Sequence, residues 1–198
     1  MNDLSDVIGG ANLYGGTDYS FTTDRFCSVN SSIYFNSGFL QVPPGVYFTA
    51  DFTVIAWVNF KSFQLYSRII DFGNNKDNIV FSLNLRTSFL FGRTGQNVST
   101  NLGNKSFKLN LNQWYHVAFV LNGTTGSIYV DGKLDVTGPL EAATNVLREI
   151  NYIGKSTHGK ANTDAVYDDL KMFNGTLTAA DILNDYINST NNGLLFLN

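Results

Sequence analysis

The sequence is poor in charge, in cysteine and in glutamate. Only 15% of its 198 residues are charged, with 13 Lys and Arg against 16 Asp and Glu, so the formal net charge is −3. This balance excludes the basic surface on which nucleic-acid binding depends. An apolar content of 43% together with the small net charge excludes a disordered chain. No apolar run approaches the ~20 residues that a membrane-spanning helix needs.

The single cysteine, Cys27, excludes a disulfide within the chain and a zinc site built from cysteines. Only two glutamates are present, Glu141 and Glu149, whereas asparagine occurs 24 times. Glutamate favours helices, and asparagine favours turns and helix caps. The composition therefore predicts a β-rich fold with many turns, and the length favours one domain.

Alternation with a period of two dominates the chain. In residues 52–60 (FTVIAWVNF) one set of alternate positions is entirely apolar, which predicts a long and largely buried strand. Residues 114–121 and 127–130 flank a gap that begins with Asn122 and Gly123, which is a strong hairpin signal. Further strands are predicted at residues 32–35, 39–42, 79–85, 88–91, 107–111, 151–153 and 166–173.

One stretch near the end of the sequence predicts a helix. Thr178 can cap it with Asp181 three residues later, and apolar residues follow at helical spacing. Residues 188–198 are expected to form a last strand or the start of a linker. About a dozen strands with one short late helix predict an all-β fold, a two-sheet antiparallel β-sandwich of the jelly-roll type. We expect a single domain over residues 1–198, with its core at about residues 20–187.

Three blocks of sequence carry a resemblance to a known family. They are residues 51–58 (DFTVIAWV), residues 114–118 with 128–133 (WYHVA and IYVDGK), and residues 168–174 with 177–182 (DDLKMFN and LTAADI). In this order and spacing they resemble the laminin-G/pentraxin-like branch of the concanavalin A-like lectin/glucanase superfamily. The resemblance implies a jelly-roll fold. One departure is Cys27, which stands where such relatives often carry glycine.

The superfamily includes glucanases, so an enzyme is one alternative. The glucanase members carry an E-x-D-x-x-E strand, which this sequence lacks, and its two glutamates are eight residues apart in a predicted loop. Glycosidases need two carboxyl groups at a defined separation. His116 shares the alternation of Ala118 and Val120, so we expect a packed and hydrogen-bonded histidine there. We therefore expect no catalytic activity.

Calcium is the cofactor that the resemblance suggests. In pentraxins an Asp-Asn pair ligates calcium, and Asp77 and Asn78 resemble that pair; an Asn/Asp-rich loop can supply several of the oxygens that calcium requires. The facing loop, residues 153–160, carries no acid and two lysines where pentraxins are acidic, which argues against two ions. A single ion helped by Asn162 or Asp164, or a plain solvated turn, are the alternatives.

Asp168 is the other calcium candidate. It shares the alternation of Val166 and Leu170, the side that we expect to face the core. A buried carboxylate must be paired, hydrogen-bonded or metal-bound, because an isolated one is very costly. The alternatives are a calcium ligand and an acceptor for backbone amides.

We expect a non-catalytic recognition or adhesion module that binds a glycan or a protein partner, with or without calcium, outside the cell or at its surface. Loops on a rigid sandwich would carry the binding groups. Aromatic candidates for sugar stacking near loops are Tyr14, Tyr19, Tyr47, Tyr66 and Tyr167. The first residues lack a signal-peptide pattern, so the sequence is either a piece of a larger multidomain protein, which we favour, or an intracellular chain. A structural spacer without a ligand is the remaining alternative.

Overall fold

A computed structural model describes residues 3–6, 9–74, 77–83, 90–95, 100–103, 107–159 and 161–191. The strands are β1 (Tyr14–Thr22), β2 (Ser32–Val42), β3 (Phe52–Phe60), β4 (Arg68–Gly73), β5 (Asn78–Leu83), β6 (Leu90–Thr94), β7 (Thr100–Gly103), β8 (Tyr115–Asn122), β9 (Thr125–Val130), β10 (Lys133–Pro139), β11 (Ile150–Ile153) and β12 (Thr163–Phe173). One helix, α1 (Ala179–Asn191), follows them. The predicted all-β class with a single late helix is confirmed. No helix in these ranges is long and apolar enough to cross a bilayer.

Antiparallel pairing joins all of these strands. Their order is β10-β9-β8-β3-β12-β2-β11-β4-β5-β6-β7, with β1 paired to β2 outside this path. The sheet bends back on itself, so that β7 contacts β10 and β6 contacts β9. It thereby encloses a core in the manner of a jelly roll. Hydrogen bonds run along the whole order, so a division into two separate sheets is not confirmed.

The strongest sequence signals are confirmed. β3 occupies residues 52–60 as predicted, and Asn122 pairs with Thr125 across the hairpin turn, where Gly123 has φ 56°. The two predicted strands at 32–35 and 39–42 are one strand, β2. Residues 84–85 and 88–89 of two predicted strands lie outside the described residues.

The prediction of a strand at residues 107–111 is wrong. This segment is irregular, because the Asn110 N–H donates to the Tyr115 hydroxyl at 3.0 Å and the Asn112 N–H donates to the Phe60 carbonyl at 2.9 Å. Leu109 is buried in the core and Phe107 packs against it, but Leu111 is exposed, and the segment joins no strand ladder. The strands β1, β4, β7 and β10 were not predicted, since their sequences alternate weakly.

Aromatic side chains fill the inner face of the bent sheet. The Phe52 ring packs against Phe48 and Phe119 with ring centres 4.7 and 5.3 Å away, and Phe119 also packs against Phe81 at 5.6 Å. A Cβ at Gly92 would lie 2.7 Å from the Phe119 ring, so glycine leaves the space that this ring occupies. Burial of aromatic rings at this density is the main stabilising contribution of the fold.

Helix α1 covers part of the outer face of β3. Ile182 is fully buried against Ile55 and Ala118, and Tyr186 stacks on Trp57 with ring centres 5.8 Å apart. The Trp57 indole N–H donates to the Ser189 hydroxyl at 2.9 Å. The helix therefore replaces water over the central strands, which are apolar on both faces.

The helix begins as the sequence predicts. The Asp181 N–H donates to Thr178 Oγ1 at 3.2 Å, and the Thr178 N–H donates to Asp181 Oδ2 at 2.9 Å, so aspartate completes the capping box. The hydrogen bonds from Thr178 lower the pKa of the Asp181 carboxyl. The helix continues to Asn191, so residues 188–191 are helical and not a last strand or linker. Residues 192–198 lie outside the described part.

A buried histidine anchors the helix. His116 is 0% exposed, and its Nε2 lies 3.0 Å from Asp185 Oδ2; the Lys171 ammonium donates to the other carboxylate oxygen at 2.6 Å. This confirms the expectation of a packed and hydrogen-bonded histidine. Burial raises the pKa of Asp185, but the hydrogen bonds and charges of His116 and Lys171 together outweigh it, so the pKa is lowered.

Cys27 is exposed, whereas free cysteines are more often small buried apolar groups. Its φ of 67° lies in the left-handed region that favours glycine. This conformation gives a physical reason for the glycine that similar sequences often carry at this position.

The contacts of the Asp185 carboxylate with His116 and Lys171 predict a pH-dependent contribution to the free energy of unfolding. A carboxyl whose pKa is lower in the folded state stabilises the fold above its unfolded pKa of about 3.9, and this contribution is lost as the pH falls through the folded value. We expect Asp185→Asn to lower the free energy of unfolding more at about pH 6 than at about pH 3. Urea denaturation of the wild type and the variant between about pH 3 and pH 6 measures the difference in the free energy of unfolding. Asn184→Ala, on the exposed side of α1, is the control. A difference that stays constant down to pH 3 would contradict the pairing.

Candidate functional site

Four neighbouring strands place one row of side chains on the outer face, just beyond the end of α1. Tyr34 of β2 pairs with Val166 of β12, and Val166 pairs with Asn59 of β3. Val58 pairs with Tyr115, so the same register sets Trp114 beside Asn59 at the start of β8. Adjacent strands are about 4.8 Å apart, so the row from Tyr34 to Trp114 spans about 14 Å.

An open groove with a volume of about 520 Å³ follows this row. It is lined by Thr22, Thr23, Tyr34, Asn59, Lys61, Asn112, Trp114 and Val166. Its volume falls within the range of small-molecule sites, and it combines aromatic rings with a few polar groups, as such sites do. Tyr34 and Trp114 are half-buried, so each presents part of its ring to the groove.

Asn59 is the polar group at the floor of the groove. Its side chain is only 7% exposed, and its Oδ1 has no hydrogen-bond partner among the described residues. Buried polar atoms are paired in the great majority of cases, and each exception needs an explanation. Asn59 lines the groove, but this oxygen has almost no accessible surface, so it is not a contact for a bound molecule in the present side-chain conformation.

The ends of the groove carry further hydrogen-bonding groups. The Lys61 ammonium donates to Asn112 Oδ1 at 3.3 Å, and the Tyr34 hydroxyl donates to Asp164 Oδ1 at 3.1 Å. Partial burial, with smaller effects of the Asp164 hydrogen bond and charge, raises the pKa of Tyr34. The groove therefore has hydrogen-bonding groups at both ends as well as the amide of Asn59 at its floor.

Asp77, the first calcium candidate, is paired with an arginine. Its side chain is 1% exposed; Arg148 Nη2 donates to Oδ1 at 2.9 Å and the Thr144 hydroxyl donates to Oδ2. Arg148 is itself fully buried and also donates to the Phe48 carbonyl at 3.2 Å. The guanidinium thus supplies the positive charge that a calcium ion would bring, so this carboxylate does not fit a calcium site as it stands.

Asn78, the second member of the pair, joins the facing loop. Its Nδ2 donates to Thr157 Oγ1 at 2.9 Å and to Asp71 Oδ1 at 3.3 Å, and lies 3.2 Å from His158 Nε2. Asp71 is fully buried and also accepts from Arg68 Nε at 2.9 Å. The loop that contains Asn78 and the facing loop at residues 153–160 are therefore in contact, as the resemblance implies. Hydrogen bonds among Asn78, Thr157 and the Arg68-paired carboxylate of Asp71 hold them together.

Asp168 lies on the outer face, so the expectation that it faces the core is wrong. A bulge explains the error: Asp168 pairs with Trp57 but Lys171 pairs with Ile55, so one extra residue lies between them, and Asp169 has φ 46°. Leu170 then packs on the core side while Asp168 points the other way.

Arg25 holds the Asp168 carboxylate. Its Nη1 donates to Asp168, and its Nη2 donates to Asp169 at 2.6 Å and to the Ser189 carbonyl at 3.0 Å. The guanidinium also lies 4.6 Å from the centre of the Trp57 ring. Burial, aided by the charge of Asp169, raises the pKa of Asp168, and Arg25 opposes this rise. As at Asp77, an arginine side chain supplies the positive charge that a calcium ion was expected to supply.

The remaining calcium candidates have separate surroundings. Asp164 accepts from Tyr34, and its backbone carbonyl accepts from the Lys61 N–H at 2.9 Å. Asn162 is half-buried before the start of β12. Within the described ranges, no three His, Cys, Asp or Glu side chains lie together in a way that could hold a metal ion. The calcium site stays a prediction, and these contacts do not favour it.

The aromatic residues of the groove differ from those expected near loops. Tyr167 belongs to the core, where its hydroxyl donates to the Arg68 carbonyl at 2.6 Å. Trp114 and Tyr34 were missed because they were assigned to the strands of the fold and not considered as surface groups. Their alternation with Tyr115 and Phe35, which face the core, is the signal that could have identified them.

A laminin-G family model, described as the concanavalin A-like lectin/glucanases superfamily, matches residues 35–183. The chain belongs to this superfamily. The match runs from β2 into α1 and includes Asn59 and Trp114, whereas Thr22, Thr23 and Tyr34 of the groove lie before its first residue.

Solved structures share the fold at low sequence identity. Domain 4 of AbnA, an extracellular GH43 arabinanase from Geobacillus stearothermophilus, in complex with arabinotriose, matches with a TM-score of 0.69 and 17% identity over 92% of both chains. The binding domain of Paraclostridial Mosquitocidal Protein 1 matches with a TM-score of 0.75 and 14% identity, over 96% of this chain and 50% of that one.

A botulinum neurotoxin type C structure, whose cell entry depends on two ganglioside molecules, matches with a TM-score of 0.68 and 18% identity. The alignment covers 91% of this chain and 48% of the toxin chain, so this chain spans about half the length of each of these two toxin chains. No curated protein sequence matches the chain.

The Asp77–Arg148 pair predicts a large loss of stability when one charge is removed. Asp77→Asn would leave a buried guanidinium without its counter-charge, which costs about 3–5 kcal/mol of the free energy of unfolding. Adding Arg148→Met to this variant should restore part of the loss, because no charge is then left unpaired. Urea denaturation of the two single variants and the double variant measures the coupling. Additive losses would show that the two side chains do not stabilise each other.

Proposed function

We propose that this chain is a non-catalytic glycan-binding module whose ligand lies in the groove between Tyr34 and Trp114. The observation that carries the proposal is the groove lined at its two ends by the half-buried aromatic side chains of Tyr34 and Trp114, with polar groups between and beside them. Aromatic faces can stack on the apolar face of a sugar ring, while amide, hydroxyl and ammonium groups bond its hydroxyls. Aromatic rings combined with hydrogen-bonding side chains in one groove are the arrangement that such a ligand requires.

The lining of the groove supports binding without catalysis. Glycoside hydrolysis requires two carboxyl groups on either side of the bond that is cleaved. None of the residues that line the groove is an aspartate or glutamate. The carboxylate of Asp164 lies beside the groove, where it accepts a hydrogen bond from the Tyr34 hydroxyl. One carboxylate that already accepts a hydrogen bond cannot fill both catalytic roles.

The structural relatives are consistent with a sugar ligand. The arabinanase domain covers nearly the same length as this chain and is described in complex with arabinotriose. The cell entry of the type C neurotoxin is described as dependent on two ganglioside molecules, but this chain spans only about half of the matched toxin chain. We therefore take neutral oligosaccharides such as arabinotriose as the first probes.

The same proposal includes the setting of the module. We infer that the bent sheet works as a two-layer sandwich, with the groove on one outer face, inside a larger secreted or cell-surface protein. The extracellular arabinanase, in which the matching unit is one domain of several, supports this setting.

Calcium assistance is the least supported part of the proposal, since Arg148 and Arg25 already pair with the candidate carboxylates. Binding measured with calcium and with chelator tests it.

Replacing Trp114 tests the groove. We expect Trp114→Ala to weaken binding of the best oligosaccharide in a neutral panel by at least about tenfold, which equals ~1.4 kcal/mol, because the stacking surface is lost. The panel consists of arabinan, xylan, galactan and glucan oligosaccharides, and isothermal titration calorimetry gives the Kd.

Tyr14→Ala is the matched control, since Tyr14 is an exposed aromatic residue outside the lining of the groove. Equal binding by the Trp114 variant, with an unchanged Tm, would place the ligand elsewhere. Absence of binding across the whole panel would favour the structural spacer. Release of shorter oligosaccharides from the panel would overturn the assignment as non-catalytic.

A further inference from the structure

We propose that the groove binds a linear, extended oligosaccharide of at least four sugar units, in which one unit stacks on Tyr34 and the third unit after it stacks on Trp114. This inference rests on the proposed function and names the length and shape of the ligand that the same site accepts. Its basis is the separation of the two aromatic side chains and the character of the surface between them.

Three strand spacings separate the two aromatic residues across the sheet. Tyr34 belongs to β2 and Trp114 directly precedes β8, with β12 and β3 between them. At ~4.8 Å for each spacing, their backbone positions are about 14 Å apart. The repeat of an extended sugar chain is close to one strand spacing. Two units that are three positions apart in such a chain therefore match the two aromatic side chains.

The floor between the aromatic side chains offers no further stacking surface. Val166 and Asn59 form this floor, and they are only 6% and 7% exposed. A sugar unit above them passes over a nearly closed surface without an aromatic face to stack on. The two middle units of the ligand thus connect the outer units and contribute little affinity of their own.

The more accessible polar groups stand at the two ends of the groove. Thr22 and Thr23, at the end of β1, lie on the Tyr34 side, because β1 pairs with β2. Asn112, two residues before Trp114, lies at the other end, where its side chain accepts from the Lys61 ammonium at 3.3 Å. Each end therefore combines one ring with hydrogen-bonding side chains, and each can hold one sugar unit.

Two weak contacts that are joined by one chain act as a bivalent site. A disaccharide or a trisaccharide reaches one ring at a time and gains the contacts of one end only. A chain of four units reaches both ends, and its second contact forms within the same complex at a high effective concentration. This gain is largest when the connecting segment matches the distance between the two contacts. Affinity should therefore rise sharply from three to four units and little beyond.

The experiment is a length series of two to six units from the arabinan, xylan, galactan and glucan of the neutral panel. Isothermal titration calorimetry gives the Kd of each oligosaccharide for the wild type. For the type of chain that binds most tightly, we expect four units to bind at least about tenfold more tightly than three. Five and six units should add no more than about threefold, because both ends are then already occupied.

Substitution of either ring tests the bivalent arrangement. Trp114→Ala and Tyr34→Ala should each bring the Kd of four units close to that of three. Each should weaken the trisaccharide only about twofold, because a short ligand still has the other ring. Tyr34→Phe keeps the ring and loses only the hydroxyl that donates to Asp164, so it should keep the preference for four units. Tyr14→Ala, outside the groove, is the matched control.

The outcomes separate this inference from the proposed function. Full affinity at two or three units, or an even rise with every added unit, would overturn the inference while glycan binding stands. An alanine variant that folds with an unchanged Tm and keeps the preference for four units would overturn it as well. If the alanine variants do not fold, the wild-type series and Tyr34→Phe still decide. If no oligosaccharide of any length binds, the proposed function fails and the inference fails with it.

Discussion

The burial of β3 on both faces is the constraint on which the rest of the structure depends. Every residue from Phe52 to Phe60 is buried, and β3 lies between β8 and β12 within the sheet. A strand of this kind needs a cover on each side. The aromatic core covers one face, and α1 covers the other as far as Trp57. Asn59 is the next outward position, and there the cover ends and the groove begins.

Arginine pairing organises the polar groups that this burial encloses. Arg148 neutralises Asp77, Arg68 neutralises Asp71 and Arg25 neutralises Asp168, each from a different part of the chain or across a bulge or turn. Removing one partner of such a pair is costly because it leaves an uncompensated buried charge, although the intact pair adds little net stability.

The sequence predicted most of the centre of the fold but little of the site. β3, the β8–β9 hairpin and the Thr178 cap were predictable because each depends on local alternation or on turn and cap chemistry. The side of the sheet on which Asp168 lies could not be predicted, because the bulge at Asp169 shifts the alternation by one residue. The groove depends on register across four strands and on where α1 stops, and neither can be derived from local pattern.

The contact between Arg25 and Ser189 joins residues 164 positions apart in the sequence. Loop closure over such a separation is slow, and it must await the synthesis of the helix. Until then the outer side of β3, with Ile55 and Trp57, is exposed to other chains as well as to water. A nascent polypeptide of this kind is prone to aggregation, so its expression should depend more on chaperones than the stability of the finished fold suggests.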